Sequence, residues 1–434
     1  MEQKIELKRT LGLLEVTVSG IGIILGAGIY TLIGQAAGLA GNAVWVSFAL
    51  AALVAIFTGL SYAELSSMFP KAGAEYEYTA QAFGRGPAFV IGWLIIFSGV
   101  IGSATVALGF AGYFQSLFGT EIVPVALVLV ALLSAVNFIG VKQSAWMAIA
   151  FTLIEALGLI IVIILGIPRL GSANYLEMPN GPEGIFRAAA LIFFAFIGFE
   201  EMVKLSEEAK DPERTIPLGL ILAVTICIIL YIAVAVSAVS VLGWQGLSES
   251  PAPFGNIAFA ALGERALVVV SVMALFATSN TVLLMLLAAS RIMYGMAESG
   301  SLPGVLALVH PVTRTPWLAV LLAMILSMAF SLLNDIALVA NINNFTVFLT
   351  FIVINAALVA LRYKNPRATR PFRVPLSFGR LPLLPLLGIA FNAFMLLQLS
   401  SEVLAIGTGL AILGGIAAVF VNRAFFARSR SDSP

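Results

Sequence analysis

The sequence predicts an all-α polytopic membrane protein of about twelve transmembrane helices, and three observations carry that expectation. The 434-residue chain is 60% hydrophobic and only 10% charged, whereas soluble domains carry about 25% charged residues. A membrane-crossing helix needs roughly 20 predominantly apolar residues, and about a dozen such runs can be drawn, joined by short loops that hold most of the charges. With a cytoplasmic N-terminus and an even number of crossings, every one of the 23 Lys and Arg residues except Arg169, Arg187 and Arg265 falls on the cytoplasmic side, the asymmetry expected of the positive-inside rule.

In chain order, the opening MEQKIELKRT is charged and polar and has no apolar core followed by a small-residue cleavage site, so no secretory leader is expected. The first span, 13–36, is glycine-rich, and the second, 43–67, closes on SYAEL. Spans 87–112 and 122–141 are uninterrupted apolar runs, and 146–167 carries Glu155 among apolar neighbours. Span 184–204 combines an aromatic run with Gly198, Glu200 and Glu201. Span 216–242 holds the one cysteine, Cys227, and spans 266–290, 316–334, 338–361, 381–399 and 402–422 complete the series. A single cysteine excludes an intramolecular disulfide, and a single histidine, His310, gives no support to a His- or Cys-based metal site. No extramembrane segment is long enough to fold alone, so the whole chain is read as one membrane domain. The basic stretch LRYKNPRATRPFRVP invites a nucleic-acid or lipid reading, but an orientation-setting loop explains it more simply.

The first span contains GIGIILGAGIY, from Gly20 to Tyr30, and the sixth contains FFAFIGFEE, from Phe193 to Glu201. Glycine in a membrane helix often serves only close helix packing. Two interrupted segments five spans apart point further, to a transporter built from inverted repeats. Where a helix breaks, carbonyls at the end of its first half and amides at the start of its second lose their partners and carry the partial charges of helix ends. In lipid such breaks persist only where protein, water or ligand supplies partners. Amides near Gly26, Ala27 and Gly28 could hold a carboxylate, and carbonyls from Phe194 to Gly198 could hold an ammonium group. Together they describe the two ends of an amino acid zwitterion. A dinucleotide reading of these glycines fails, because no third glycine follows and no strand precedes.

GAGIY, GLSYAELSSMFPKAGAEYEYTAQAFG, FFAFIGFEE and ASRIMYGMAESGSLP resemble the motifs of the amino acid–polyamine–organocation (APC) superfamily, and together its amino acid permeases of the cationic amino acid transporter-like branch. The resemblance extends over spans one to ten in order. It implies two inverted five-helix repeats, residues 13–167 and 184–361, with spans one and six unwound at mid-membrane and two additional helices over 381–422. It also implies that Gly26, Ala27 and Gly28 form the carboxylate-binding break, that Phe194 covers the substrate, and that Phe196, Ile197 and Gly198 form the break of span six. Ile24 and Ser98 join Phe194, Phe196 and Ile197 as the visible pocket candidates. They are mostly apolar, which leans toward neutral, small or apolar amino acids over cationic ones.

Some proton-coupled relatives carry a lysine at the place of Glu155, so that mechanism does not transfer. A carboxylate at mid-bilayer costs about 2.5–3.5 kcal/mol on insertion scales, which makes Glu155 a functional candidate before a structural one. It could titrate, or help to ligate sodium together with the Gly22 and Leu25 carbonyls and the Thr278 and Ser279 hydroxyls, oxygen donors suited to a hard cation. Against the second option, membrane Ser and Thr commonly bond their own backbone. Glu200 is a candidate for gating, or simply stabilises the start of a half-helix. Glu15 and Glu64 are expected to pair with loop cations such as Lys71 or Arg85.

The expected function is secondary active transport of amino acids by alternating access. Proton symport is the leading form, with sodium symport or exchange as alternatives and an ion channel or transporter-like receptor as the other classes. No catalytic residues, resident metal or organic cofactor are expected, only a proton or sodium as coupling ion. The expected partners are an amino acid and the lipid bilayer, not nucleic acid. The expected location is the plasma membrane, with both termini cytoplasmic.

Overall fold

A computed structural model describes residues 9–70, 74–140 and 145–431, with side chains for all of these except 145–151, 207 and 422–431. The described chain is almost entirely helical. The glycine-rich first segment is two helices, α1 (Leu13–Ile24) and α2 (Gly28–Ala40), separated by three non-helical residues. Then follow α3 (Val44–Met68), α4 (Ala74–Phe83), α5 (Arg85–Phe118), α6 (Ile122–Ile139) and α7 (Ala145–Gly166). The aromatic segment begins as α8 (Gly181–Ile192), tightens into a 3-10 turn at Phe193–Phe196, and resumes as a 3-10 helix at Phe199–Glu207. The remainder comprises α9 (Pro212–Ser248), α10 (Pro253–Leu262), α11 (Glu264–Glu298), α12 (Trp317–Ser331), α13 (Ile336–Lys364), α14 (Leu383–Leu397) and α15 (Ser401–Ser431). A two-stranded hairpin, β1 (Ser377–Phe378) with β2 (Leu381–Pro382), lies between α13 and α14.

Among the described residues, eight helical stretches are long and apolar enough to cross a membrane, and four shorter apolar helices accompany them: α1, α10, α12 and α14. One of the eight, Gly28–Met68, joins α2 to α3 through Gly41. Gly41 has φ 72°, and a Cβ there would come within 2.5 Å of the Glu177 carbonyl oxygen, so the reversal needs glycine. The chain is therefore a polytopic helical membrane protein. Its outer surface agrees: Leu153, Leu157, Ile160 and Ile164 of α7 are all more than 40% exposed, as are Ile412, Leu413, Ile416 and Phe420 of α15. Rows of exposed aliphatic side chains on this scale belong against lipid.

Inside, α5 packs against α11, α12, α13 and α6, while α9 packs against α1, α2, α3 and α7. The two interrupted segments are held between these groups, and α2 lies against α8. Their far ends are also joined. The Glu208 carbonyl accepts from the amides of Thr10 and Leu11 at 2.9 and 3.0 Å, and the Lys210 amide donates to the Leu11 carbonyl at 2.9 Å.

The two acids expected to pair with Lys71 or Arg85 have other partners. Glu15 caps the start of its own helix, accepting from the Gly12 amide at 2.9 Å. Glu64 on α3 is fully buried and meets Arg362 of α13, whose Nε donates to Glu64 Oε1 at 2.9 Å, while the Val374 amide donates to Oε2 at 2.8 Å. Arg370 approaches the same carboxylate at 3.2 Å. Lys71 lies outside the described residues. The basic stretch is thus partly structural: two of its arginines neutralise an acid contributed 300 residues earlier, a pairing across the fold that local sequence does not signal.

Breaking a buried pair strands a charge, at about 3–5 kcal/mol. Glu64→Gln should therefore lower the melting temperature in detergent far more than Arg187→Gln. The latter removes only an exposed i, i+4 pair with Glu183, worth about 0.2–0.5 kcal/mol. Equal shifts for the two variants would show that the buried pair carries no stability.

Candidate functional site

The first helix break begins where Leu25 closes α1, its amide donating to the Ile21 carbonyl at 2.8 Å. It ends where α2 restarts at Gly28. Across it, the Ala27 amide donates to Thr281 Oγ1 of α11 at 3.2 Å, while that hydroxyl lies 3.1 Å from the Ala277 carbonyl. The second break turns through extended Ile197, ψ 133°, and then Gly198, φ 124°. Gly198 is fixed as glycine twice over, by its positive φ and because a Cβ would stand 2.9 Å from the Ile23 carbonyl oxygen of α1.

The two breaks touch each other. A Cβ on Gly28 would lie 2.7 Å from Ala195 Cα, 3.1 Å from its nitrogen and 3.2 Å from Phe194 Cδ1. Ile24, Ala27, Phe194 and Phe196 are each at most 3% exposed, so the junction is closed in this conformation. A Cβ on Gly26, by contrast, would meet nothing closer than Thr281 Oγ1, at 3.4 Å. Ile197 and Gly26 are partly buried at the same junction.

Carbonyls freed by the breaks find donors on neighbouring helices. Tyr231 Oη of α9 stands 2.7 Å from the Ile24 carbonyl and 3.0 Å from that of Ala195, bridging both broken segments with one hydroxyl. Asn344 Nδ2 of α13 donates to the carbonyls of Ala190 and Leu191 at 2.7 and 2.9 Å. Glu200 Oε2 accepts the Gly198 amide at 2.9 Å and so caps the second half of its segment. Sequence reasoning missed Tyr231, Thr281 and Asn344. All three are common residues in apolar spans, and only the tertiary contact distinguishes them.

Glu155 is 2% exposed on α7, hydrogen-bonded to the Asn280 side chain of α11, while its Oε1 has no hydrogen-bond partner among the described residues. Its backbone carbonyl accepts from Tyr30 Oη of α2 at 2.6 Å, and Tyr113 Oη of α5 donates to the Tyr30 carbonyl at 2.9 Å. Gly22 lets α1 approach α7 closely, since a Cβ there would stand 2.8 Å from Thr152 Oγ1, one turn before Glu155. Glu155 is therefore beside the first break and is joined to α11 through Asn280. Thr278 Oγ1 donates to the Ala274 carbonyl of its own helix at 2.7 Å. Ser279 precedes Asn280 on α11, and Leu25 stands at the first break. Among the described residues, no group of three His, Cys, Asp or Glu side chains could hold a metal ion. Ser98 is half-buried on α5, beside Gly99, whose Cβ would pack on Ala289 and the Met285 carbonyl of α11. Ser98 thus sits one to two turns along α11 from Thr281.

Beyond the second break lies an acidic cluster around one lysine. Lys204 Nζ is 2.5 Å from Glu201 Oε1, and Tyr62 Oη is 3.4 Å from Glu75 Oε1 of α4. Burial pushes the Glu75 carboxyl above its ordinary value of about 4.5, opposed by the nearby Lys204 and reinforced by Glu201.

Comparison with known proteins decides the family. Residues 11–421 match the family described as Amino acid permease. The chain belongs to that family. It is 32% identical to the branched-chain amino acid permease BcaP of Bacillus subtilis over 415 residues, 91% of this chain and 88% of the relative. It is 33% identical to the methylthioribose transporter of the same organism, over 85% of this chain and 84% of the relative. It is also 30% identical to human cationic amino acid transporter 4, over 83% of this chain and 60% of that longer protein. The resemblance to the APC superfamily drawn from the motifs is thereby supported, and this chain is an amino acid permease of that superfamily.

Two outcomes follow from the geometry. Gly28→Ala should abolish uptake by the permease while Gly26→Ala retains most of it, measured in cells at matched expression; the reverse order would contradict the closed junction. A carboxyl whose proton is held more tightly in the folded state costs stability as pH rises above its unfolded value. Glu75→Gln should therefore gain thermal stability over wild type as pH is raised from about 5 to about 8, and a shift that is constant across that range would contradict it.

Proposed function

We propose that this permease is a secondary active transporter that works by alternating access, with its substrate held where the two broken segments meet. About twelve membrane crossings would be arranged as two inverted five-helix repeats, 13–167 and 184–361, followed by two additional helices over 381–422. The termini would lie in the cytoplasm and the protein in the plasma membrane. The observation that carries the reading is the backbone contact between Gly28 and Ala195, beside the Tyr231 hydroxyl that bridges the carbonyls of Ile24 and Ala195. An amino acid entering there would part the two segments. Its carboxylate would take the first-turn amides of α2 near Gly26, Ala27 and Gly28, where the helix dipole favours negative charge.

Its ammonium would take carbonyls of the second break. Those of Phe194, Ala195 and Gly198 already accept from the protein itself, which leaves Phe196 and Ile197 as the candidates. Ile24, Phe194, Phe196 and Ile197 would surround the side chain, with Ser98 farther along. This apolar setting supports neutral, small or apolar amino acids, and the similarity to a branched-chain permease supports the same class. Glu155 would carry the coupling proton, since its Oε1 is buried, unbonded and beside the first break. Glu200 would move with Gly198 as the junction opens. The rival reading gives Glu155 to a sodium ion with the carbonyls of Gly22 and Leu25 and the hydroxyls of Thr278 and Ser279. The lone pairs left on Thr278 after its backbone bond keep that arrangement open.

The test is uptake by purified protein in proteoliposomes, for wild type and Glu155→Gln, with branched-chain, small neutral and cationic amino acids and methylthioribose as substrates. The expected result is accumulation of neutral amino acids driven by a pH gradient, lost in the variant, with counterflow exchange preserved. Accumulation driven by sodium and lost in the variant would move Glu155 to a cation site. Indifference of the variant to both gradients would make it structural.

A further inference from the structure

Away from the breaks, at the end of α13, the segment after Lys364 folds back on the bundle. Lys364 Nζ donates to the Ala82 carbonyl of α4 at 2.6 Å, and the Phe372 amide lies 3.3 Å from Ser67 Oγ of α3. Arg362 Nη1 donates to Ser377 Oγ at 2.6 Å, which seats the β1–β2 hairpin beside the Glu64 pair. These ties border a half-open cavity of about 260 Å³ lined by Arg362, Pro366, Ala368, Arg370, Arg373 and Arg380. That is room for about eight waters at liquid density.

Its charge is unbalanced. Four arginines line one space, and the one carboxylate beside them, Glu64, is shared by Arg362 and Arg370. Those two also donate to Ser377 Oγ and to the carbonyls of Val374, Leu361, Asn365 and Ala368, so Arg373 and Arg380 hold the donors left for a ligand. Arg370 Nε is buried and stands 3.2 Å from Glu64 Oε1. Burial, opposed by Glu64 and reinforced by Arg362 and Arg373, lowers the proton affinity of Arg370 below the ordinary arginine value. Arg373 Nη2 is held against the Gly379 carbonyl at 3.1 Å, at the hairpin turn that also fixes Arg380. Beside the cavity, Tyr363, Leu376 and Phe378 are 51%, 65% and 75% exposed. Exposed apolar side chains beside a basic cavity, at the end of a membrane helix, suit the boundary between headgroups and acyl chains. Arginine forks match phosphate oxygens two at a time.

We propose that this four-arginine cavity is a binding site for a phosphate group, supplied by the headgroup of an anionic phospholipid. The bound phosphate would supply the negative charge that Glu64 alone does not. It would clamp the α13–α14 connection to α3 and α4, independently of what the breaks carry.

Arg373 and Arg380 are exposed and outside the Glu64 pair, so their replacement leaves the buried ion pair intact. The experiment follows the thermal stability of the purified full-length protein in non-ionic detergent. It is titrated with inorganic phosphate, with short-chain phosphatidylglycerol and with short-chain phosphatidylcholine. Wild type should be stabilised by phosphatidylglycerol and not by phosphatidylcholine. Half-saturation should weaken about fivefold for each arginine removed in Arg373→Gln and Arg380→Gln, while Arg291→Gln, an exposed arginine elsewhere, should bind as wild type does. Stabilisation by inorganic phosphate at the same concentrations, lost in the same variants, would keep the phosphate site but assign it to a soluble ligand. Equal stabilisation by both lipids, no stabilisation by any probe, or equal weakening in Arg291→Gln would each overturn the proposal.

Discussion

A backbone carbonyl released from a helix in the middle of a bilayer must be given another donor, because hydrocarbon offers none. The arrangement of the broken segments depends on that exchange. Tyr231 serves a carbonyl from each segment with a single hydroxyl, Asn344 serves two more, and Thr281 takes the amide of Ala27. The partners come from α9, α13 and α11, so the breaks are stable only inside the assembled bundle. The same exchange makes them changeable. A charged ligand that offers better partners can displace a tyrosine or threonine hydroxyl, whereas a continuous helix has no bond to trade.

Glycine converts this exchange into contact between the segments. At Gly28 and Gly198 the opposing atoms are backbone, Ala195 in one case and the Ile23 carbonyl in the other. The two breaks therefore meet main chain to main chain, and motion of one is transmitted to the other without slack from side chains. Their far ends are tied at Leu11 and Ala209, so the segments are joined at the junction and again at that end.

Charge is treated differently in different layers. Glu64 is locked by two arginines and serves the scaffold. Glu75 and Glu201 gather around Lys204 near the second break, close to Tyr62. Glu155 stands apart from these, with Asn280 as its side-chain partner and one oxygen unbonded. A carboxyl held by fixed cations has little reason to change state, whereas one held by a neutral amide can gain or lose a proton without breaking an ion pair.

Helix class, membrane residence, the positions of both breaks and the intramembrane acid were legible in the sequence, because each depends on local properties. Hydropathy over about 20 residues decides insertion, and glycine weakens a helix wherever it stands. The breaks expected around 26–28 and 194–198 appear at 25–27 and 193–198. The partners of local features were not legible. Glu64 reaches Arg362 across 298 residues, and Thr281 reaches Ala27 across 254. Tyr231 in an apolar span reads as packing until α9 is set against both breaks. The sequence by itself determined where the backbone would fail to be satisfied within its own helix. Only the tertiary structure decided which side chains satisfy it, because a hydrogen bond is specified by position in space and distant residues acquire that only when the helices pack.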